Sequence, residues 1–184
     1  MTPEQVRGDE DRARDDELAP LIVTADLPPD LQAWAERLRR AHYPAERNRV
    51  AAHVTLFHAL PPSCEAELRD ALAGAARDNP PVPARLDGVI SLGGGTALRI
   101  ASPALLALRE NLAERFRGLL TAQDQAAPRL HVTVQNKVSE KAARALQAEL
   151  AATIEPRDFR FRGLALHRYR GGPWQPLKRW RFRG

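Results

Sequence analysis

The tripeptide His-Val-Thr occurs twice in this chain, at residues 53–55 and 131–133, so that the two copies lie 78 residues apart. Each copy lies in a short apolar segment with the composition of a β-strand, HVTLF at the first site and LHVTV at the second. Successive side chains of a strand point to opposite faces, so each histidine shares a face with the threonine that follows it, and the valine between them points into a core. Each copy therefore presents an imidazole and a hydroxyl about 7 Å apart on one strand face.

The elements predicted around the tripeptides repeat in the same order. Each strand or helix of the first half has a counterpart of the same type in the second half, at an offset close to that between the tripeptides: Leu21 with Leu98, Leu31 with Leu105, His53 with His131, Leu68 with Leu146, and Leu86 with the strand near Phe161. Two βαβαβ halves of this kind predict an α+β fold in which duplicated lobes carry two antiparallel-type sheets around a central cleft. The two tripeptides then face each other across that cleft, and we expect them to form one site.

Length and composition accommodate one folded domain. Residues 1–19 hold seven acidic residues against three arginines and little that could be buried, which predicts a disordered acidic tail. We expect residues 20–184 to form a single bilobal domain, with lobes at about 20–95 and 96–184 and with C-terminal strands that could cross between them. No segment reads as a secretory signal or a membrane span, so we expect a cytoplasmic protein. We separately expect it to be a monomer, although no feature of the sequence determines the oligomeric state.

The net charge of +5 is concentrated at the C-terminal end of the chain. The first 19 residues contribute −4, and residues 155–184 contribute +7 from nine basic and two acidic side chains, which leaves +2 for the middle. Arginine alternates with phenylalanine over residues 159–162, a pattern typical of a sheet with one buried face and one basic face. Such a face could attract a phosphate backbone, although an arginine-rich chain places arginine on any exposed strand.

Paired H-x-T motifs on equivalent strands of a bilobal α+β domain resemble the 2H phosphoesterase superfamily, which includes bacterial 2′-5′ RNA ligase-like proteins and 2′,3′-cyclic phosphodiesterases. The resemblance rests on HVTL at 53–56, HVTV at 131–134 and the C-terminal segment HRYRGGPWQPL at 167–177. Val134 stands where leucine is common in that family, and Ala52 and Leu130 stand where proline often precedes the histidine. None of these departures alters a catalytic group.

The resemblance implies that His53, Thr55, His131 and Thr133 form the catalytic set, without a metal or a cofactor. The chemistry suits these side chains, because opening a cyclic phosphodiester needs one group to deprotonate the attacking oxygen and another to protonate the leaving oxygen. Two imidazoles with an ordinary pKa of about 6.5 can share those tasks near neutral pH, and threonine hydroxyls can donate to the non-bridging oxygens. The sequence does not assign the acid and the base.

We therefore expect a metal-independent phosphoesterase that opens 2′,3′-cyclic phosphates of nucleotides or RNA ends, reversible as 2′-5′ RNA ligation. Its partner would be RNA or a nucleotide with a cyclic phosphate or a 2′-5′ linkage. Tyr169, Arg170 and Trp174 in the C-terminal segment, and Lys137 after the second motif, are candidate substrate contacts through base stacking or phosphate binding. A packing role for Trp174 and a solvated position for Lys137 stay open.

Two other functions stay open at this point. An RNA-end binding module could use the same cleft without turnover. A histidine metal site is also conceivable, but neither motif is accompanied by the Asp, Glu or Cys ligands that such a site needs. We interpret the remaining histidines, His42, His58 and His167, as surface or packing residues.

Overall fold

The computed structural model describes residues 19–184. Its strands and helices are β1 Leu21–Asp26, α1 Pro29–His42, β2 Val54–Leu60, α2 Glu65–Asp78, β3 Val82–Ser91, β4 Thr96–Ala101, α3 Pro103–Arg115, α4 Ala122–Gln125, β5 His131–Gln135, α5 Glu140–Thr153, β6 Arg157–Phe161, β7 Gly163–Arg168 and β8 Gln175–Arg181. The acidic tail predicted for residues 1–19 lies outside the described residues, apart from Ala19, which is buried. Within the described part of the chain, each helix is too short or too polar to cross a membrane.

The eight strands form two antiparallel sheets of four strands each. The first sheet has the order β2-β1-β7-β8, and the second has the order β5-β4-β3-β6. Exchanging β1 with β4, β2 with β5, β7 with β3 and β8 with β6 converts one order into the other. This arrangement confirms the predicted α+β fold of duplicated halves with two antiparallel sheets.

The two sheets do not follow the lobes expected from the sequence, at about 20–95 and 96–184, because each sheet contains strands from both. Strand β3 lies in the second sheet. The stretch from Phe159 to Tyr169, which the sequence pattern predicts as one strand, divides at Arg162 into β6 and β7, which belong to different sheets. The counterpart of β3 is therefore β7 rather than the strand at Phe161.

Where the chain crosses from the second sheet to the first, the Arg162 N–H donates to the carbonyl oxygen of Asp26 at 2.9 Å. The Phe182 N–H donates to the carbonyl oxygen of Arg162 at 3.0 Å. The alternation of polar and apolar residues over 157–162 gives way at this crossing to a continuous buried run over 163–166. A continuous apolar run is equally compatible with one longer strand, so the pattern does not show that the chain changes sheets.

Helices cover one face of each sheet and leave the motif strands at neighbouring edges. Helix α2 packs on β7 and β8, and α5 packs on β3 and β4. Each helix buries one stripe at helical spacing, as predicted: Leu68, Leu72 and Ala76 in α2, and Ala143, Leu146 and Leu150 in α5. Strands β2 and β5 are the edges of their own sheets and contact each other, which brings the two H-x-T motifs to one place.

A buried carboxylate fastens β2 to the short helix α4. Asp124 is 1% exposed, and its carboxylate accepts the backbone N–H of His58 at 2.9 Å, the backbone N–H of Ala59 at 3.0 Å and the Nδ1–H of His58 at 2.9 Å. Burial by itself would raise the pKa of Asp124, but these hydrogen bonds outweigh it, and the pKa lies below the ordinary 3.8. His58, interpreted from the sequence as a surface or packing residue, is thus one partner of this clamp.

Replacing Asp124 by asparagine is expected to lower the free energy of unfolding at pH 7 by about 2 kcal/mol. The amide NH₂ group cannot accept from the backbone N–H groups that bind the carboxylate, and the negative charge that strengthens these hydrogen bonds is lost. Since the pKa of Asp124 is depressed by folding, its contribution is present above pH 3.8 and is lost as the pH falls through the lower folded pKa. Urea unfolding of both proteins at pH 7 and pH 3 measures this, and the difference between them should shrink at pH 3. Asp78→Asn, which loses only an exposed ion pair with Arg77, is the control and should change stability far less.

Candidate active site

The two H-x-T motifs show the burial pattern expected of strands with one face in the core. Val54 and Val132 are fully buried. The histidine and threonine on either side of each valine are partly exposed: His53, Thr55, His131 and Thr133. His53 directly precedes β2 and His131 begins β5, so all four side chains lie where the two edge strands meet.

Both motif histidines are held by the same backbone hydrogen bond. Nδ1 of His53 lies 2.6 Å from the carbonyl oxygen of Ala51, and Nδ1 of His131 lies 2.6 Å from that of Arg129. A carbonyl oxygen can only accept, so each Nδ1 carries the proton of the bond. In the neutral ring Nε2 is then the unprotonated nitrogen. Each imidazole can therefore exchange a proton with a ligand through Nε2.

The buried side chain of Arg39 connects the loop before the first motif with the strand of the second motif. Arg39 of α1 is 4% exposed. Its guanidinium donates to the carbonyl oxygen of Thr133 at 2.6 Å, to the carbonyl oxygen of Val50 at 2.8 Å and to Oδ1 of Asn48 at 3.1 Å. Asn48 and Val50 belong to the loop that leads to His53. One guanidinium thus fixes both motifs relative to each other.

Arg109 of α3 makes the equivalent link from the other half. It is 3% exposed, and its Nε donates to the carbonyl oxygen of Leu56 at 3.0 Å. Its Nη2 donates to the carbonyl oxygen of Asp124, in the segment that leads to His131. Each arginine therefore extends from a helix of one half to the motif strand of the other half.

A third histidine lies beside the first motif. The Trp174 ring packs between His53, at a centroid distance of 4.6 Å, and His167, at 5.5 Å. Nε2 of His167 is 3.0 Å from Oγ1 of Thr24. Burial, and then the charge of Arg179, lower the pKa of His167 to about 4. Sequence reasoning missed this residue, and its only signal was its place at the start of the C-terminal segment shared with the resembled family.

The surroundings of His53 hold it in the neutral form. Burial is the largest cause, and it lowers the pKa of the imidazole. The hydrogen bond to Ala51 opposes this effect, whereas electrostatic repulsion from Arg39, and to a smaller extent from the neighbouring His167 and His131, adds to it. The pKa of His53 is lowered from 6.5 to about 4, so at neutral pH its Nε2 is ready to accept a proton.

A cavity of about 470 Å³ opens beside His53. His53, His167, Trp174 and Thr24 line it, together with an ion pair in which Arg179 donates to Asp26 at 3.0 Å. This site combines polar side chains with an aromatic ring. It therefore offers hydrogen-bonding groups and a stacking surface next to one of the two imidazoles.

The other predicted substrate contacts are exposed. Tyr169, 43% exposed, and Arg170 lie in the connection between β7 and β8, the same connection that contains Trp174. Lys137 lies in the turn after β5 and has a left-handed φ of 59°. Within residues 19–184, no three His, Cys, Asp or Glu side chains are grouped to hold a metal ion.

Comparison with known proteins agrees with this geometry. Residues 27–173, which include both motifs, match the family model of the 2′-5′ RNA ligase superfamily. The chain belongs to this superfamily. The 2H phosphoesterase resemblance drawn from the two motifs is thereby confirmed. No curated protein matches the chain.

Solved structures share the fold of this superfamily member. LigT of E. coli complexed with 3′-AMP is 23% identical with a TM-score of 0.62, covering 91% of this chain and 100% of LigT. TT0787 of Thermus thermophilus is 19% identical with a TM-score of 0.61, covering 90% of this chain and 98% of TT0787. A structure described as a phosphoesterase is 24% identical with a TM-score of 0.62, covering 91% and 100%. At these identities the likeness establishes the fold.

Substitution of Arg39 should change the pKa of His53, whereas the same substitution of Arg109 should change it less. By NMR titration of the ring protons, His53 is expected to titrate near pH 4 in the wild type. Arg39→Gln removes a nearby positive charge and should raise that pKa toward the ordinary 6.5.

Arg109→Gln is the matched control, because it removes an equally buried guanidinium from the equivalent link. It should leave the His53 titration closer to that of the wild type than Arg39→Gln does. Equal shifts in both variants would mean that general loosening of the site, rather than the charge of Arg39, acts on His53.

Proposed function

We propose that this protein is a metal-independent phosphoesterase that opens 2′,3′-cyclic phosphates of nucleotides or RNA ends, and that the same site can run in reverse to join RNA ends through a 2′-5′ linkage. The observation that carries the proposal is the equivalent placement of two imidazoles. His53 and His131 are held by the same Nδ1 hydrogen bond on edge strands that contact each other, and each keeps Nε2 for proton exchange. In-line displacement at phosphorus needs two such groups, one on each side.

In this reaction His53 serves as the base and His131 as the acid. Nε2 of His53 takes a proton from water while the water oxygen forms a bond to phosphorus. The bond between phosphorus and one ribose oxygen of the cyclic ester breaks, and Nε2 of His131 gives that oxygen its proton. The product is a 2′- or 3′-phosphomonoester. The lowered pKa of His53 supports the assignment, since a base must be neutral before it reacts.

The neighbouring side chains have roles that follow from their chemistry. Thr55 and Thr133 would donate hydroxyl hydrogen bonds to the non-bridging oxygens, where negative charge grows in the transition state. Trp174, against His53, would border the attacking oxygen. Tyr169, Arg170 and Lys137 stay candidates for contacts to a longer RNA. LigT has been solved with 3′-AMP and with phosphate, ligands of the kind that we propose for this cleft.

Substitution of either motif histidine should remove activity. His53→Ala and His131→Ala are each expected to lower kcat for hydrolysis of a 2′,3′-cyclic nucleotide by about 10² to 10⁴-fold, the usual share of one acid or base. Thr55→Val and Thr133→Val should lower it by roughly 10²-fold, as expected for loss of a transition-state donor. Product analysis by chromatography measures these rates, in the presence of a chelator.

His42→Ala, which removes a partly exposed histidine from the end of α1, is the control and should act like the wild type. Activity of His53→Ala and His131→Ala equal to that of the wild type would sink the proposal. Tight binding of the cyclic nucleotide without any product would instead identify a binding module.

The pH profile offers an independent test of the base. If the proton acceptor is His53, kcat/KM should fall on the acidic side with a midpoint at about pH 4, rather than at the 6.5 of an ordinary imidazole. Steady-state rates from pH 3.5 to 8, with stability checked at each pH, give the midpoint. An acidic midpoint at 6.5 would contradict the assignment of His53 as the base.

A further inference from the structure

The indole of Trp174 is carried by an exposed segment of the chain. Trp174 ends the connection between β7 and β8, in which residues 169–171 are exposed and Gly171 has a left-handed φ of 79°. The indole packs against His53 at a centroid distance of 4.6 Å and against His167 at 5.5 Å. Residue 174 lies outside the strand pairing of β7 with β8, so the backbone alone does not hold the indole over His53. It needs a rigid neighbour to keep that position.

His167 is such a neighbour, because it belongs to a paired strand. It lies in β7, opposite Ile22 of β1 and Pro176 of β8. Its Nε2 lies 3.0 Å from Oγ1 of Thr24, a residue that is 1% exposed. Thr24 is in turn the cross-strand partner of Thr55 in the first motif. The imidazole of His167 is therefore fixed by sheet pairing and by a hydrogen bond to a buried threonine beside the motif strand.

The surroundings of His167 keep it neutral, so it acts on its neighbours by packing rather than by charge. Burial is the largest cause of its low pKa of about 4, and the charge of Arg179 adds to the effect. Arg179 of β8 is itself paired with Asp26 of β1 at 3.0 Å. At neutral pH an uncharged imidazole thus packs against the indole, and the contact brings no second positive charge close to His53.

We propose that His167 is a positioning residue, which holds the indole of Trp174 over His53 and so shields the proton-accepting imidazole from water. For catalysis this inference rests on the proposed function. His167 acts through the indole rather than on the reacting atoms. Its hydrogen bond with Thr24 sets the angle of the imidazole, and the imidazole sets the place of the indole.

The test separates the ring of His167 from its charge. His167→Ala removes the support, whereas His167→Phe keeps an aromatic ring there and removes the ionisable group. Thr24→Val keeps the volume of the threonine and removes the hydrogen bond. Trp174→Ala removes the indole itself and sets the size of the full effect. All four substitutions are made in the full chain, and NMR titration of the ring protons gives the pKa of His53 in each.

In His167→Ala the indole loses its support and water reaches His53, so the pKa of His53 is expected to rise from about 4 toward the ordinary 6.5. Trp174→Ala should raise it at least as far. His167→Phe should keep the pKa of His53 lower than His167→Ala does, by about one pH unit or more. Thr24→Val should give a value between those of the wild type and His167→Ala.

The other groups that act on the charge of His53 are Arg39 of α1 and His131 of β5, and none of the four substitutions removes them. The ring-proton shifts of His131, recorded in the same spectra, should match those of the wild type and show that each variant has folded. His42→Ala, at the end of α1, is the control and should leave the titration of His53 unchanged.

Catalysis gives a second readout, which a general loss of stability would not reproduce. With a pKa near 6.5, His53 is neutral in only about one tenth of the molecules at pH 5.5. The ratio of kcat/KM at pH 5.5 to kcat/KM at pH 7.5 should therefore fall about tenfold in His167→Ala relative to the wild type. His167→Phe should retain most of the wild-type ratio.

Two results would overturn the positioning role. One is the same pKa of His53 in His167→Ala as in the wild type. The other is an equal rise in His167→Ala and His167→Phe, because the effect would then come from the ionisable group rather than from the ring. If the pKa of His53 changes as expected but the wild type opens no cyclic ester, the proposed function is wrong, and the support of His53 by His167 stands without it.

Discussion

The active site depends on two buried guanidinium groups that cross between the duplicated halves. No backbone ladder joins the two sheets within residues 19–184, since the edge strands β2 and β5 contact each other without pairing. Arg39 and Arg109 supply the link by donating to the carbonyl oxygens of Thr133 and Leu56. Charge-assisted hydrogen bonds of this kind contribute about 1.5 to 3 kcal/mol each, and a buried guanidinium left without acceptors would cost more. The relative position of the two imidazoles is therefore fixed by side chains from helices rather than by sheet pairing.

Duplication accounts for how two chemically identical motifs would take the opposite tasks that we propose for them. The backbone treats His53 and His131 alike, with one carbonyl accepting from each Nδ1. Their neighbours are not alike, since the ring of Trp174 from the C-terminal connection packs against His53 and also contacts His167 of β7. The repeat thus gives both histidines the same hydrogen-bond geometry, whereas the lowered pKa of His53 comes from the residues that surround it. In the proposed mechanism, this division gives one repeated half the roles of both base and acid.

Local patterns in the sequence were sufficient for the fold and for the motif pair. Alternating burial in HVTL and the apolar stripes of α2 and α5 are short-range properties, so they can be read from neighbouring residues. The remaining features depend on pairing over long separations. His167 reaches the site because β7 lies against β1, and Asp124 binds His58 across 66 residues. Neither pairing leaves a periodic signal, which is why both histidines were interpreted as surface or packing residues. The four predicted substrate contacts likewise remain predictions, although Trp174 lies against His53.

The exchange of strands between the halves makes the site responsive to distant parts of the chain. The sheet that carries His53 is completed by β7 and β8, the last strands of the protein, and the sheet that carries His131 is completed by β3 from the first half. A proteolytic cut in the connection between β7 and β8, or loss of the C-terminal strand, would therefore disturb the imidazole that lies more than a hundred residues earlier. Neither half holds a full sheet of its own, so the two must fold as one cooperative unit, and a working site reports that the whole described chain has folded.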